Sequence, residues 1–300
     1  MSSRRRTLVA ASLGGALALV LTACGSHSSH DSSMPGMDMP SASASTTAAG
    51  HDPSSMPGMN MNTGDGLAAQ KGGYQLASNT AKLPSGKKTD YRFSLTGPDG
   101  RPVTDFAVEQ TKRLHFYAVR SDLTGFQHIH PTMAGDGSWT ADLAALQPGS
   151  WRLFAQFTPK TGAGKGQDFV LSRTVTVPGP AAPTALPKAS TTTTVDGYTV
   201  TVNGELMAGM AHPLTVTVSK DGKPVTDLQP YLDSYAHLTA FHEGDQAFAH
   251  LHPENKVTGG HGGPGLSFHA ELATSGNWRL FLQFQTAGTL HTAAITLHVS

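Results

Sequence analysis

Two short motifs, His128-Ile-His130 and His250-Leu-His252, carry the clearest chemistry in this sequence. Residues two apart on a β-strand share a face, so each motif places two imidazoles side by side. A further histidine stands on the preceding predicted strand of each copy, and a four-residue loop would bring it opposite the second histidine of the motif. Three imidazoles at that spacing can hold one ion, and nitrogen ligands suit Cu(II) or Zn(II). The six predicted ligands are His115, His128, His130, His237, His250 and His252.

The strand positions that alternate with these histidines are apolar, as at Phe116 and Ile129. This alternation predicts that the histidine face points away from the core of its own domain. Four aromatic residues share that outward face: Tyr117, Phe126, Phe241 and Phe248. We expect such a face to be covered by the other domain, by the N-terminal segment or by a partner protein. Ordinary surface histidines are the alternative interpretation of the same pattern.

A second group of ligand types occurs only in the second copy, in the segment Met207-Ala-Gly-Met210-Ala-His212. It contains two thioethers and one imidazole within six residues. If this group lies near the histidine face, the second copy is expected to bind metal more tightly than the first.

The N-terminal segment 24–66 is rich in Ser, Thr, Ala, Gly and Pro and is predicted to be a disordered tether. Met-Pro-Gly-Met occurs in it twice, and the thioether is a soft ligand that suits Cu(I). This pattern resembles the Met-rich segments of extracytoplasmic copper-handling proteins. Ordinary imidazoles would release metal as the pH falls from about 7 to about 5, whereas thioethers carry no competing proton. The predicted soft ligands are Met34, Met37, Met39, Met56, Met59 and Met61.

The first residues have the layout of an export signal, with three arginines at 4–6 followed by an apolar stretch at 8–20. The tetrad Leu21-Thr-Ala-Cys24 then resembles the lipobox of bacterial lipoproteins. That resemblance implies a signal peptide over 1–23, cleavage before Cys24 and lipidation of this cysteine. The protein would then be anchored on the outer face of the cell membrane.

The remainder of the chain consists of two copies of one module. Asp-Gly-Arg-Pro-Val-Thr-Asp at 99–105 recurs as Asp-Gly-Lys-Pro-Val-Thr-Asp at 221–227, and Trp151-Arg-Leu-Phe recurs as Trp278-Arg-Leu-Phe. Short β-rich runs alternate with Gly and Pro turn signals, so each copy is predicted to be an antiparallel sandwich of immunoglobulin or cupredoxin type. The prediction is an all-β chain with sandwiches at 67–178 and 191–300, joined by a Pro-rich linker at 179–190.

Composition excludes several classes of function. The 21 basic and 21 acidic residues balance, so no basic excess points to nucleic acid. A single cysteine excludes intramolecular disulfides, Cys-rich zinc sites and a blue-copper centre in addition to the anchor. No Walker, Rossmann, His-Glu-x-x-His or Gly-x-Ser-x-Gly motif is present, so we do not expect an enzyme.

With the His-x-His-Pro motif at 128–131 and 250–253, the chain resembles secreted actinobacterial lipoproteins that carry tandem modules of this kind. The modules also look like FixH-like and YtkA-like β-sandwiches and, more distantly, like periplasmic copper-resistance carriers. The resemblance implies a protein that captures, buffers or delivers copper outside the cytoplasm, with another copper-handling envelope protein as its partner. The alternative function is a tandem β-sandwich interaction or sensing module without stable metal.

Overall fold

The computed structural model describes residues 65–300. The predicted signal peptide, Cys24 and the six methionines of the tail lie outside the described residues. Within 65–300 the chain is all β, with no helix, and it forms two antiparallel β-sandwiches in tandem. The predicted fold class is therefore confirmed. No helix in this part of the chain is long and apolar enough to cross a membrane.

The first repeat contains nine strands. They are β1 (Gln70–Lys71), β2 (Tyr74–Ala77), β3 (Thr89–Thr96), β4 (His115–Arg120), β5 (Phe126–Ile129), β6 (Thr132–Met133), β7 (Ser138–Leu143), β8 (Gly149–Phe157) and β9 (Phe169–Val177). One sheet has the order β1-β2-β3-β7-β6 and the other β5-β4-β8-β9. Alternate residues of β3 and β7 are buried against the inner face of the second sheet, as the period of two requires.

The second repeat contains the equivalent strands. They are β10 (Thr192–Val195), β11 (Tyr198–Asn203), β12 (Ala211–Lys220), β13 (Lys223–Pro224), β14 (Ala236–His242), β15 (Phe248–Pro253), β16 (Gly265–Glu271), β17 (Gly276–Thr286) and β18 (Thr289–Val299). Its two sheets are joined because β15 pairs with β14 along most of its length and with β16 at its end. The core between these sheets is a separate apolar cluster.

The register of the histidine hairpins is the one that the loop lengths predict. Tyr117 pairs with His128 in the first repeat, and Thr239 pairs with His250 in the second. Phe116 and Leu238 lie in the cores of their own sandwiches, so the histidine face points away from each core. Both features of the sequence prediction are confirmed.

The outward faces of the two repeats pack against each other in an aromatic layer that we call the seam. Its members are Tyr117, Val119, Leu123, Phe154, Val170, Phe241, Phe248 and Phe281. Phe126 stacks on Phe281 with ring centroids 4.2 Å apart and planes 6° apart. Of the three candidates for covering this face, the structure shows that the other repeat covers it.

Candidate metal centre

Three histidines of the first repeat converge on one point beside the seam. His115 begins β4, His128 lies in β5, and His130 follows β5 directly. One ring nitrogen from each of the three lies within 4.8 Å of those of the other two. The antiparallel pairing of β4 with β5 produces this convergence, since it sets His115 against the end of β5 on the face that also carries His128.

Burial argues against ordinary surface histidines. His115 is only 3 % exposed, and its counterpart His237 is 1 % exposed. A neutral imidazole carries one N–H donor and one acceptor, and burying either without a partner costs free energy. The partners of each ring nitrogen therefore show what the site can bind.

With the amide of Gln283 oriented as in the structure, where its Nε2 donates to Thr292, the hydrogen bonds of His115 and His128 assign one neutral form to both rings. His115 donates its Nε2–H to the backbone carbonyl of Glu109 at 3.0 Å, which leaves Nδ1 with a lone pair. His128 donates its Nδ1–H to Oε1 of Gln283 at 2.7 Å, which leaves Nε2 with a lone pair. These two unprotonated nitrogens lie 3.0 Å apart. Two lone pairs at that distance repel each other unless a cation lies against both, so the pair is arranged as metal ligands are.

The second repeat reproduces part of this arrangement. His237 donates Nε2–H to the carbonyl of Tyr231 at 2.8 Å, and its Nδ1 is buried without a hydrogen-bond partner. Tyr231 and Glu109 each stand six residues before their histidine. In the first repeat, Nε2 of His130 is likewise buried without a partner.

Two histidines away from the site, one buried and one half-buried, differ from the site histidines because both of their ring nitrogens form hydrogen bonds. His291 bonds Asp196 through Nδ1 at 2.8 Å and Thr286 through Nε2 at 3.0 Å. His242 bonds Asp245 and Ser275 through its two nitrogens. These rings use both nitrogens within the protein, whereas His115 and His237 each leave one nitrogen directed at the site.

A strained turn presents the carbonyl to His115. Glu109 and Lys112 exchange both backbone hydrogen bonds, and the two residues between them, Gln110 and Thr111, have φ values of 45° and 68°. Positive φ at both central positions defines a type I′ turn, which normally takes Asn or Gly. The second repeat builds the same turn with Leu232 and Asp233 at φ 52° and 59°. Asp233 tolerates a positive φ, but Gln110, Thr111 and Leu232 do not favour it, so each copy of the turn holds at least one residue in a conformation that its surroundings enforce.

Burial also keeps the site histidines unprotonated. Burial, followed by the charges of neighbouring histidines, lowers the pKa of His128 well below its usual value and that of His130 to about 3. Burial lowers the pKa of His237 to about 4 and lowers that of His115. Because a metal ligand must be a neutral imidazole, the folded site is ready for a metal over the whole physiological pH range.

A family model matches the chain twice, over residues 69–177 and 193–300, and it is described as a domain of unknown function, DUF8832. The chain belongs to the DUF8832 family. Each match covers one sandwich with its histidine hairpin, so the duplicated site is a feature of two DUF8832 domains. No curated protein matches the chain.

Solved structures resemble the fold only distantly. Fibronectin(III)-like modules of Clostridium thermocellum CbhA are 12 % identical, with 76 % of this chain and 94 % of that chain covered and a TM-score of 0.20. The Escherichia coli adhesin FdeC is 16 % identical, with 78 % and 66 % covered and a TM-score of 0.25. These similarities carry no argument about the site.

An open cleft borders one histidine of the first DUF8832 domain's site, His128. It has a volume of about 460 Å³ and lies between the two domains. Phe126, His128 and Gln283 line it, so the hydrogen bond between His128 and Gln283 forms part of its wall. The cleft therefore reaches His128, one of the three histidines of the cluster.

The methionine group of the second DUF8832 domain lies elsewhere. Met207 and Met210 are 41 % and 50 % exposed in the turn before β12, which backbone hydrogen bonds tie to Leu272 and Ser300. His212 shares its strand face with the core residue Leu214, whereas His250 lies on the outward face. The structure therefore does not bring Met207, Met210 or His212 to the histidine face. The side chain of His252 is not among those described, although its backbone pairs with His269.

Sequence reasoning missed Gln283, which reaches from the second DUF8832 domain to a histidine of the first. Gln283 is 5 % exposed, and its Nε2 donates to Thr292 at 3.4 Å, so Oε1 is the atom that accepts from His128. Its only signal in the sequence is its place in the repeated Phe-x-Gln-Phe at 154–157 and 281–284.

Replacing Gln283 with Leu is expected to weaken metal binding by the first DUF8832 domain about 10- to 100-fold, the usual effect of losing an outer-shell partner. Without the acceptor, His128 can carry its proton on Nε2, the nitrogen that faces the site. A Cu(II) or Zn(II) titration of the full chain measures the change. Gln285→Leu is the matched control, since Gln285 lies two residues further along β17 and bonds Gln229 instead. Equal affinities for the two variants would contradict this role.

Proposed function

We propose that this chain is a membrane-anchored, extracytoplasmic lipoprotein that binds copper and captures, buffers or delivers it without acting as an enzyme. The observation that carries the proposal is the pair of unprotonated nitrogens on His115 and His128, 3.0 Å apart with a nitrogen of His130 nearby. Three imidazoles suit Cu(II) or Zn(II) and leave a coordination position open for exchange. Copper is favoured over zinc by the methionine tail, whose thioethers suit Cu(I).

The anchor is part of the proposal and rests on the lipobox-like tetrad ending at Cys24. A lipidated Cys24 would hold the two domains at the outer face of the cell membrane through the segment 25–64. Lipid attachment at a single cysteine would place any captured ion where envelope proteins can exchange it. A copper-handling protein of the same envelope is the proposed partner.

Asp65 is held beside the second histidine motif, and this position supports transfer between the tail and the folded site. The carbonyl of Asp65 accepts from the backbone N–H of Phe248 at 2.7 Å, and the ring of Phe248 lies 6.4 Å from that of His250. Gly66 fits there because any Cβ would lie 2.7 Å from Val170, and its φ is +70°. Met61 precedes Asp65 by four residues, a length of chain that spans at most about 14 Å. A methionine-bound ion could thus be passed to the seam.

The alternative, an interaction module that docks a partner through the aromatic and histidine face, is not favoured. That face is already packed against the other domain, and Tyr117 and Phe241 are fully buried. A partner would have to separate the two domains before it could contact these residues.

A pair of titrations tests the division of labour between the two ligand types. The full chain is compared with a variant in which the six tail methionines are replaced by Ser. We expect Cu(II) or Zn(II) binding tighter than about micromolar in both proteins, because three converging imidazoles on a folded scaffold bind at least that tightly. Cu(I) capacity should fall in the variant.

Absence of Cu(II) and Zn(II) binding at micromolar concentration in both proteins would overturn the histidine site. Unchanged Cu(I) capacity in the Met→Ser variant would overturn the role of the tail. A matched variant with Ser at Met207 and Met210, which lie far along the chain from the tail, shows whether any thioether loss has the same effect.

A further inference from the structure

The contacts across the seam are reciprocal, as at a two-fold interface. Phe126 of the first domain lies 4.2 Å from Phe281 of the second, and the equivalent pair, Phe248 and Phe154, is 5.6 Å apart by ring centroids. The histidines follow the same rule. His128 lies 6.2 Å from His237, and the equivalent pair, His250 and His115, is 6.3 Å apart.

These distances make the two histidine sets parts of one layer. Within the first domain the ring centroids of His115 and His128 are 5.3 Å apart, only about an ångström less than the distances between domains. Two sandwiches with independent sites on separate surfaces would not bring their histidines to this spacing. The seam therefore holds both sets in a single cluster of imidazoles, which we call the chamber.

We propose that this chamber is a dinuclear metal centre that takes two ions, one on each histidine set. The proposal rests on the proposed function, since it needs the first set to bind metal. The first ion would be held by His115 Nδ1, His128 Nε2 and His130. The second would be held by His237 Nδ1 and by His250, with His252 at the repeat position equivalent to His130.

The second half of this centre has its own structural support. Nδ1 of His237 is buried without a hydrogen-bond partner, while Nε2 is fixed by the carbonyl of Tyr231, as in the first domain. The strained turn that presents this carbonyl is repeated as well. This turn, with Leu232 at an unfavourable positive φ, thus holds the ring of His237 as its counterpart holds the ring of His115.

The charges in the chamber make the two halves interdependent. Imidazole ligands are neutral, so two divalent ions at this spacing repel each other, and the second ion is expected to bind more weakly than the first. A small anion such as hydroxide or chloride, bound between the two ions, would offset that repulsion. Gln156, the equivalent of Gln283, donates to Asp168 at 2.8 Å, so the two halves also differ in their hydrogen bonds.

Electron paramagnetic resonance of the copper-loaded protein tests this centre. The probe is Cu(II), added at one and then two equivalents to the full chain with Ser in place of His27, His30 and His51 of the tail. We expect a simple Cu(II) spectrum at one equivalent. At two equivalents the signal should broaden or lose intensity per copper, because two nearby unpaired electrons interact.

His237→Ala is the matched variant, and we expect it to bind one Cu(II) with a simple spectrum. Two bound coppers with additive, non-interacting spectra would overturn the dinuclear centre, and so would a wild-type capacity of one. Either of these results would leave the proposed function intact. Absence of any Cu(II) bound to the wild type would overturn the proposed function itself. The wild-type spectra decide the question even if the variant fails to fold.

Discussion

Replacing His115 with Ala is expected to lower the Cu(II) affinity of the first domain about a hundred- to a thousandfold. Complete structural sites of four nitrogen and sulfur ligands bind zinc with about 10–16 kcal/mol, so one ligand is worth about 2.5–4 kcal/mol. His115 also links the site to the Glu109 carbonyl, and the variant loses that contact. A competition titration against a chelator of known affinity measures the loss.

Two controls separate ligation from damage to the fold. His291→Ala removes another buried histidine, 7 % exposed, whose nitrogens are both bonded within the protein. It should lower the thermal midpoint without changing the copper affinity of the first domain. His115→Gln retains a donor for the carbonyl of Glu109 and should bind copper as poorly as His115→Ala. Wild-type affinity in both His115 variants would remove this residue from the site.

Acid is expected to destabilise the metal-free protein well before it removes metal from the loaded protein. In the unfolded chain a histidine takes up its proton near pH 6.5, whereas in the folded chain the pKa of His237 is about 4 and that of His130 about 3. Below pH 6.5 the unfolded state therefore binds more protons, and stability falls as the pH falls. Each of these two histidines lowers the free energy of unfolding by about 2 kcal/mol as the pH falls from 7 to 5.

Asp168 has the opposite effect and stabilises the folded protein as the pH falls. Burial, opposed by the hydrogen bond from Gln156, raises the pKa of Asp168 to about 7. Its contribution is present in acid and is lost as the pH rises through about 7, so on acidification it offsets about one histidine. His115 and His128, whose pKa values are also lowered, add to the loss. The sum remains a loss of stability in acid.

Thermal unfolding of the metal-free protein at pH 7 and pH 5 measures the effect, with a fall of a few degrees for each kcal/mol. His237→Gln should reduce the pH dependence by about 2 kcal/mol. Copper-loaded protein should keep its metal at pH 5, since protons compete at the lowered pKa values rather than near 6.5. A wild-type pH dependence in His237→Gln would contradict the assignment.

Retention of metal at pH 5 also differs from what free imidazoles predict. The sequence alone predicts that the histidine sites release metal between about pH 7 and pH 5. That expectation used the unperturbed pKa, because burial between two domains is not visible in a local pattern. Once the seam covers the histidine face, desolvation governs the titration.

The hairpin that carries His115, His128 and His130 could be predicted because its determinants are local. The loop length sets the register, and the alternation of Phe116 and Ile129 with the histidines sets the face. The β-sandwich class followed from short runs and turn residues in the same way. Outward aromatics also indicated that something covers this face.

The rest of the site depends on contacts between distant segments. Gln283 reaches His128 only because the outward faces of the two repeats pack together, and no local pattern specifies that docking. The turn at Gln110 and Thr111 lacks the Asn or Gly that normally marks positive φ, so it has no turn signature. Met207 and Met210 show the reverse case, in which a local pattern predicted ligands that the fold keeps apart from the site. They are exposed in the turn before β12 and do not lie near the histidine face.

The most direct measurement of the central claim is the position of a bound ion in the folded protein. Crystals of the full chain loaded with Cu(II) or Zn(II) would be measured at the absorption edge of the metal, where anomalous scattering identifies the ion. We expect a peak at about 2.0–2.1 Å from His115 Nδ1 and His128 Nε2, with His130 as the third ligand. A peak elsewhere in the folded domains with none between His115 and His128, or no peak in metal-loaded crystals, would contradict it.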